Sequence, residues 1–573
     1  MTLTAEGFTK LKTDPTIRWL SDPVKMRSFL KEINVNLQMP ELQTAMTAMP
    51  ANSNKVVAII DSGIRLDHSD FGASRFTGNA CFSTSVGTKL NTNEALPSLC
   101  SGAVGSPCSA ADTTYSATLA SCGHGSHVAG IAGANNNVFV TPGMAPGAKI
   151  MAIQSKSLVR TGIPADPYDD THNSIDTVRS LDHIHRFNVL NSVNKVVAVN
   201  MSFGYPSKDF FDPLNACLDT NDGITEAIAR LHSQGIAVVA SAGNKDDTTA
   251  GIAFPACLGT VISVAATSKN FAQVDYSEYI LTDNNMVTKL PTIAAPGGDD
   301  GVEGQNPNPI VCQANSLSTT PVCSTKFQDT AQRELRSGTS MSAPVIAGLI
   351  ARFTDRFPAL NGLQAANLLV GSGVPFTVTF PNQSTVTMPR VTPLASFSQA
   401  TLPQAVMAST ATCGQINLNW TAPSVMLPTE YRVRLASTAA GLAAAVQTPT
   451  GQGATSFPIL ATQTQFYQVI AKDGTGDGVW SLPASAVPLP CGPAAVANFR
   501  IADRETLPSP AIGCFFGLRW NASAEPLTQY KVQEICSGGA PSQIVLVDAA
   551  RTYLRTQPGM ATPCDVVQNL PNT

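Results

Sequence analysis

At residues 336–344 the chain reads Arg-Ser-Gly-Thr-Ser-Met-Ser-Ala-Pro, and an apolar run follows at 345–351. The hydroxyl of Ser340 therefore stands between a glycine turn and the start of a helix, where unpaired backbone N–H groups face outward and favour developing negative charge. A serine so placed can be a nucleophile if a base takes its proton and a third group orients the base. Without them the pattern is an ordinary helix N-cap. Two further segments supply the missing groups. Residues 56–60, Val-Val-Ala-Ile-Ile, read as a buried strand that delivers the carboxylate of Asp61 at its C-terminal end, just before Ser62-Gly63. Residues 123–127, Gly-His-Gly-Ser-His, put an imidazole between two glycines at the mouth of a helix of small residues. Carboxylate, imidazole and hydroxyl together are the parts of an acyl-transfer site.

The elements that must position these groups are legible in the same way. From 56 to about 268, strand-like runs at 149–154, 195–200, 236–241 and 261–265 alternate with helical ones, among them 223–233, which Asp222 and Gly235 cap. Such alternation predicts a doubly wound, mostly parallel α/β sheet with helices on both faces. Ligands of such sheets bind beyond the C-terminal strand ends, where Asp61, Asn200 and Asn244 fall.

His124 and His127 lie three apart, so both could share a helical face, but His-Gly-Ser-His lacks the glutamate and spacing of a helical zinc pair. His124, flanked by glycines, can be approached closely, whereas His127 leads into Val-Ala-Gly and reads as packed. The histidines at 68, 172, 183, 185 and 232 are expected at the surface. Asn244, in Ala-Ser-Ala-Gly-Asn at 240–244, could close a turn or donate to an oxyanion. Asn200 is a second amide at a strand end and reads as structural.

The three blocks, in the order Asp, His, Ser, resemble the subtilisin-like serine proteases, the subtilases. The resemblance covers roughly residues 50 to 400 and implies a serine endopeptidase of the subtilisin-like fold. In it Ser340 is the nucleophile, His124 the base, Asp61 the orienting acid and Asn244 an oxyanion donor beside the backbone N–H of Ser340. It further implies that Ser202, Phe203 and Gly204 pair with the substrate backbone. Ala242 and Gly243 would wall the pocket for the residue preceding the cut, and Ala253 would be its floor. Small uncharged residues there lead to an expected preference for large hydrophobic side chains. Asp70 and Asn137 match positions that ligate a stabilising calcium ion, a hard cation suited to oxygen donors; no cofactor is expected for catalysis. Residues 81–122 and 299–335 depart from the pattern as long insertions, and Ser126 replaces a more usual threonine.

Composition narrows the setting. The chain has 573 residues, 43% apolar and 13% charged, with a net charge of -4. That describes a globular protein, with no basic cluster for nucleic acid and no apolar run approaching the roughly eighteen residues of a membrane-spanning helix. A monomer is expected. Thirteen cysteines without a Cys-x-x-Cys pair argue for disulfides and an oxidising, extracellular compartment. The first residues lack the basic and apolar regions of a signal peptide, so the N-terminus is expected to be truncated. Residues 1–48 resemble part of a subtilase propeptide and its connection, which would make that segment an inhibitory partner of the enzyme. Proximity in sequence suggests disulfides between Cys100 and Cys108 and between Cys312 and Cys323. The pair Cys217–Cys257 is implied by its similarity to some secreted bacterial subtilases.

The catalytic domain is expected over 49–398. Beyond it, runs at 416–420, 431–435 and 467–471 alternate at period two between proline- and glycine-rich connections, the pattern of an all-β sandwich. They resemble fibronectin type III domains, at 399–490 and again at 491–573. The second copy echoes the first around Trp520 and Tyr530 but shows no clear counterpart of 467–471, and is expected to be incomplete. Two other functions fit the same residues: acyl transfer to an amine, as in subtilase-like peptide macrocyclases, and a catalytically silent binding protein on the protease fold.

Overall fold

Lys55–Asp61 carries β-branched residues and alanine up to a single terminal carboxylate, and such a run suits the middle of a parallel sheet, covered on both faces. In the computed structural model it is strand β1, buried at every position after Lys55. The structure describes residues 53–84, 98, 100, 116–135, 143–163, 166–172, 174–204, 217, 223–245, 251–268, 271–283, 286–298, 322–325, 333–410, 412–451, 453–489, 500–506, 514–519, 529–536, 543–548, 553–555 and 564–567. The expected propeptide, Asn137, Cys108 and Cys312 lie outside them.

After β1 come β2 (Ala80–Cys81), α1 (Ser116–Gly133), β3 (Lys149–Gln154), the hairpin of β4 (Lys156–Ile163) and β5 (Asp166–His172), and α2 (Ser174–Leu190). Then follow β6 (Lys195–Met201), α3 (Gly223–Ser233), β7 (Ala237–Ser241), β8 (Ile262–Thr267), the hairpin of β9 (Leu281–Asp283) and β10 (Met286–Lys289), and β11 (Ile293–Pro296). The pair β12 (Val322–Thr325) and β13 (Arg333–Arg336) precedes α4 (Thr339–Arg356), α5 (Gly362–Gly371), β14 (Val374–Thr379), β15 (Thr385–Arg390) and α6 (Pro393–Thr401).

Nine of these strands form one sheet in the order β14-β15-β11-β8-β7-β6-β1-β3-β2. Its pairings are parallel apart from the antiparallel β14–β15 edge. The expected parallel sheet is thus present, with β1, the first of the described strands in sequence, in its interior. Register aligns the strand ends: Asp61 pairs with Gln154, Ile60 with Met201, and Met201 with Ala240. Asp61, Ser155, Ser202 and Ala242 therefore reach the same edge of the sheet.

Helix α3 shows why it forms where it does. Ile224, Ala227, Ile228 and Leu231 recur at helical spacing and are its buried residues. They join a core with Val56, Ala58, Ile60, Val199 and Val238 of the sheet. Helix α4 packs against β6, β7 and β8 and is buried along nearly its whole length.

Three expectations are corrected. His68 and His172 are buried, not at the surface. Cys100 pairs with Cys81, so it is not joined to Cys108. The expected pair Cys217–Cys257, by contrast, is present.

The chain divides into two units: Met1–Leu402 with Ala422–Thr429 and Ile470–Trp480, and Pro403–Thr421 with Glu430–Val469 and Ser481–Thr573. Downstream of α6 the described elements are almost all strands. One set comprises β16 (Gln404–Ser409), β17 (Gln415–Thr421), β18 (Glu430–Ala436), β19 (Gln447–Pro449), β20 (Ser456–Leu460), β21 (Gln465–Asp473), β22 (Gly476–Asp477) and β23 (Ala484–Ala486). The next comprises β24 (Arg500–Thr506), β25 (Cys514–Arg519), β26 (Gln529–Cys536), β27 (Gln543–Asp548), β28 (Tyr553–Arg555) and β29 (Cys564–Val567). The sheets β16-β17-β20 and β19-β18-β21 of the first set recur as β24-β25-β28 and β27-β26-β29 in the second. Strand β29 holds the place of β21. At four residues it is too short for its alternation to stand out in the sequence.

Candidate active site

Asp61 ends β1 with no exposed surface. A buried carboxylate needs partners, and it has them: Ser62 N–H donates to Oδ1 at 2.7 Å, and His124 Nδ1 lies 2.9 Å from Oδ1 and 3.0 Å from Oδ2. Burial raises the Asp61 pKa, but His124, through charge and hydrogen bond, together with the Ser62 N–H, outweighs it and brings the value from 3.8 to about 2. The acid is therefore ionised throughout the neutral range.

His124 lies on α1 and keeps a partly exposed side chain, 26% accessible, against the buried Asp61. Its approach to β1 depends on Gly125: a Cβ there would stand 2.3 Å from Gly63 O and 3.1 Å from Asp61 Cβ. Gly125 N–H instead donates to Ser62 Oγ at 3.0 Å. His127 is fully buried, as its apolar neighbours suggested.

Ser340 is the second residue of α4, after Gly338 at φ 152° and Thr339. Its Oγ donates to Ser202 O at 2.9 Å, so in this structure the hydroxyl rests on the end of β6, and no hydrogen bond joins it to His124 among the described residues. The contact is reciprocal, since Ser202 Oγ donates to Ser340 O at 2.8 Å. Pro344 explains why that carbonyl is available. Proline has no N–H, so the helical partner four residues after Ser340 is missing, and the side chain of Ser202 takes its place. Asn200 Nδ2 donates in turn to Ser202 Oγ at 2.9 Å, which bears out a supporting part for that amide.

Asn244 follows β7 and faces the same turn. Its Oδ1 accepts from Thr339 N–H and Thr339 Oγ1, both at 2.9 Å. Two donors on the oxygen fix which edge of the amide carries the N–H2 group, and a Cβ at Gly338 would meet that nitrogen at 3.1 Å. Thr339 also accepts from Gly243 N–H at 3.2 Å. Sequence reasoning passed over Thr339, although it adjoins Ser340; only the fold shows that it touches both Gly243 and Asn244.

The residues nominated for substrate binding come together. Ala253 N–H donates to Ala242 O at 2.8 Å. A Cβ added to Gly204 would lie 2.8 Å from Ala253 Cβ, and one added to Gly243 3.3 Å from it. Gly204 and Gly243 thus both lie close to Ala253. The sequence missed two neighbours. Glu278 is buried, donates its N–H to Gly243 O at 3.0 Å, and brings its Cγ to 3.5 Å from a Cβ at Gly243. His172 stacks on Phe203 with ring centroids 3.8 Å apart and planes at 8°, while its Nδ1 lies 2.7 Å from Ser155 Oγ. Burial, with Lys156 and His124 adding to it, lowers the His172 pKa to about 3 against the pull of Asp61 and Asp176, so the ring stays neutral. Ser155 N–H donates to Asp61 O at 2.9 Å, which links this stack to the acid.

Of the nominated calcium ligands, Asp70 is buried, with Oδ2 3.6 Å from His68 Nδ1, and its carbonyl accepts Asn135 N–H at 2.8 Å. Nearby, the Arg75 guanidinium donates to Gly133 O at 2.7 Å, Pro146 O at 2.5 Å, Ala148 O and Asn135 Oδ1. These carbonyls and the Asn135 amide oxygen are therefore engaged by a side-chain cation.

Residues 52–386 match the model of the subtilase family, peptidase S8. An extracellular protease of Xanthomonas campestris pv. campestris is 28% identical over 308 residues, 52% of this chain and 43% of that protein. Subtilisin DY of Bacillus licheniformis is 25% identical over 319 residues, 55% of this chain and 82% of that protein. The chain spans less than half the length of the Xanthomonas relative. Among solved structures, Sphericase superposes with a TM-score of 0.41 at 20% identity, covering 60% of this chain and 90% of its own. Among the described residues, no helix is long and apolar enough to cross a membrane.

Proposed function

Because the chain belongs to the subtilase family of serine peptidases, we propose that it is a secreted endopeptidase that cleaves proteins through an acyl-enzyme on Ser340. The observation that carries this reading is the contact of both Asp61 carboxylate oxygens with His124 Nδ1, at the sheet edge where Ser202 also holds Ser340. With Nδ1 directed at Asp61, the other ring nitrogen, Nε2, is the base.

In the steps we assign, a substrate backbone adds as a strand beside residues 202–204, and its N–H takes Ser202 O as acceptor. Ser340 Oγ then loses its resting partner and turns to His124. Its proton passes to Nε2 as oxygen attacks the scissile carbonyl, and Asp61 stabilises the imidazolium. The oxyanion is met by Asn244 Nδ2 and the Ser340 N–H. His124 returns the proton to the leaving amine, and water repeats the sequence to release the acid and restore the hydroxyl.

Ala242, Gly243 and Ala253 form the pocket for the residue before the cut, and we assign it a preference for large hydrophobic side chains. A peptide series varied at that position alone tests this, and faster cleavage after Arg or Glu than after Phe and Leu overturns it. Calcium held by Asp70 and Asn137 is assigned a structural part only; a melting temperature that EDTA leaves unchanged argues against it. The segment 1–48 is assigned an inhibitory part as a propeptide and the C-terminal strands a spacer or adhesion part as fibronectin-like sandwiches, with the enzyme itself a monomer.

Mass spectrometry after a fluorophosphonate probe tests the central claim. The expected result is a single label at Ser340, abolished in Ser340→Ala and His124→Ala. No label in folded protein supplied with calcium and freed of residues 1–50 brings forward the silent binding protein. Labelling with transfer of the acyl group to an amine, seen as product mass, brings forward the macrocyclase.

A further inference from the structure

One half-buried cation near the pocket has no part in the steps above. Lys289, the last residue of β10, sends its Nζ to Ala256 O at 2.9 Å and Leu258 O at 2.6 Å. Both carbonyls belong to the turn that follows Ala253. Cys257 N–H bonds Ala253 O at 2.9 Å, Leu258 N–H bonds Pro255 O at 3.0 Å, and Val261 N–H bonds Leu258 O at 3.1 Å. Ala256, Cys257 and Leu258 are buried, and a carbonyl shut away from water costs free energy unless a donor reaches it. An ammonium carries three donors; here it reaches Ala256 O and gives Leu258 O a second donor beside the Val261 N–H. Burial draws the Lys289 pKa down to about 8, so the chain accepts a desolvated charge at this point.

The turn matters because of what it carries. Ala253 lies close to both Gly204 and Gly243, so a shift of a few tenths of an ångström in the turn moves the floor against the Gly243 wall. The disulfide Cys217–Cys257 holds the turn from one direction and Lys289 from another.

We propose that Lys289 is a positioning residue for the substrate pocket, a tethered cation that fixes the turn 255–258 and through it the depth of the floor at Ala253. This rests on the pocket reading given above. It goes beyond it in making selectivity depend on a side chain that touches no substrate.

The test is peptide affinity in the full chain carrying Ser340→Ala, read by fluorescence anisotropy, so that hydrolysis is not required. Two peptides are compared, with Phe or Ala at the pocket position. Adding Lys289→Met is expected to weaken the Phe peptide about tenfold or more and the Ala peptide less than about twofold. Truncation to Lys289→Ala is expected to do the same, and methylammonium, which can reoccupy the carbonyl pair, to restore the difference. Equal weakening of both peptides overturns the proposal, as does restoration by no amine. If Lys289→Met fails to fold, Lys289→Ala with and without the amine decides by the same comparison. If neither peptide distinguishes Phe from Ala even with Lys289 intact, the pocket reading itself fails and the lysine proposal falls with it.

Discussion

Thr339 is where the candidate site is most sensitive to one small side chain. It holds Asn244 by two hydrogen bonds and Gly243 by a third. Asn244→Ala removes the donor itself and is expected to lower kcat on the order of 10²–10³-fold, in line with what such a loss costs in subtilisin. Thr339→Val keeps the amide but removes one of the two groups that orient it. We expect kcat to fall by about tenfold with KM nearly unchanged, since the loss is felt only where charge develops; steady-state kinetics on one peptide measures both. His172 gives a prediction in pH. Its folded-state pKa of about 3 lies below the usual 6.5, so between those values the unfolded chain binds the extra proton and stability falls as pH drops. At pH 5 this amounts to about 2 kcal/mol. Urea unfolding of the Ser340→Ala protein at pH 7 and pH 5 should show that loss, and His172→Gln should reduce it.

At the scale of elements, the strands and helices that carry charge-free apolar runs were legible because burial on both faces leaves a continuous signature. The helix Gly223–Ser233 falls where its caps and apolar spacing put it, and β1, β3 and β6 match their runs almost to the residue. What could not be read was anything settled between distant segments. Nothing beside His172 announces Phe203, and nothing near Cys100 prefers Cys81 to Cys108. The Ser202–Ser340 exchange spans 138 positions and is visible only as a proline whose missing N–H leaves a carbonyl to be claimed. The junction of α1 with β1 is a sharper case, since a glycine between two blocks could have been a simple turn. Gly125→Ala would drive a Cβ against Gly63 O, backbone that cannot yield without moving Asp61. The expected outcome is a folded or partly folded protein whose fluorophosphonate labelling rate falls at least about a hundredfold, as misplacing a base by about 1 Å does.

For the whole molecule, the far end of α4 carries a buried charge, as its first turn carries the hydroxyl. Arg356 is buried, lies 4.9 Å from the ring centre of Phe357, and donates to Asp473 at 2.6 Å within the unit that includes Ile470–Trp480. The Asp473 pKa, raised by burial, is lowered on balance by Arg356 and Thr475. A buried charge left without its partner is costly, so Asp473→Asn is expected to destabilise by about 3 kcal/mol, while Arg356→Met, which removes the charge altogether, costs less. Denaturant unfolding of the two variants gives the comparison, and a larger loss for Arg356→Met would count against the assignment.

The order of strands in the main sheet also bears on when the chain can become reactive. Strand β1 precedes the other described strands yet ends up between β3 and β6, and Ser340 follows Asp61 by 279 positions. Pairings that far apart in sequence form late, because loop-closure entropy is lost before any contact repays it. A nascent or half-assembled chain therefore holds its acid, base and hydroxyl on separate pieces. On the proposed reading, chemical competence arrives only with the closed sheet, which would tie the first moment of proteolysis to the last steps of folding.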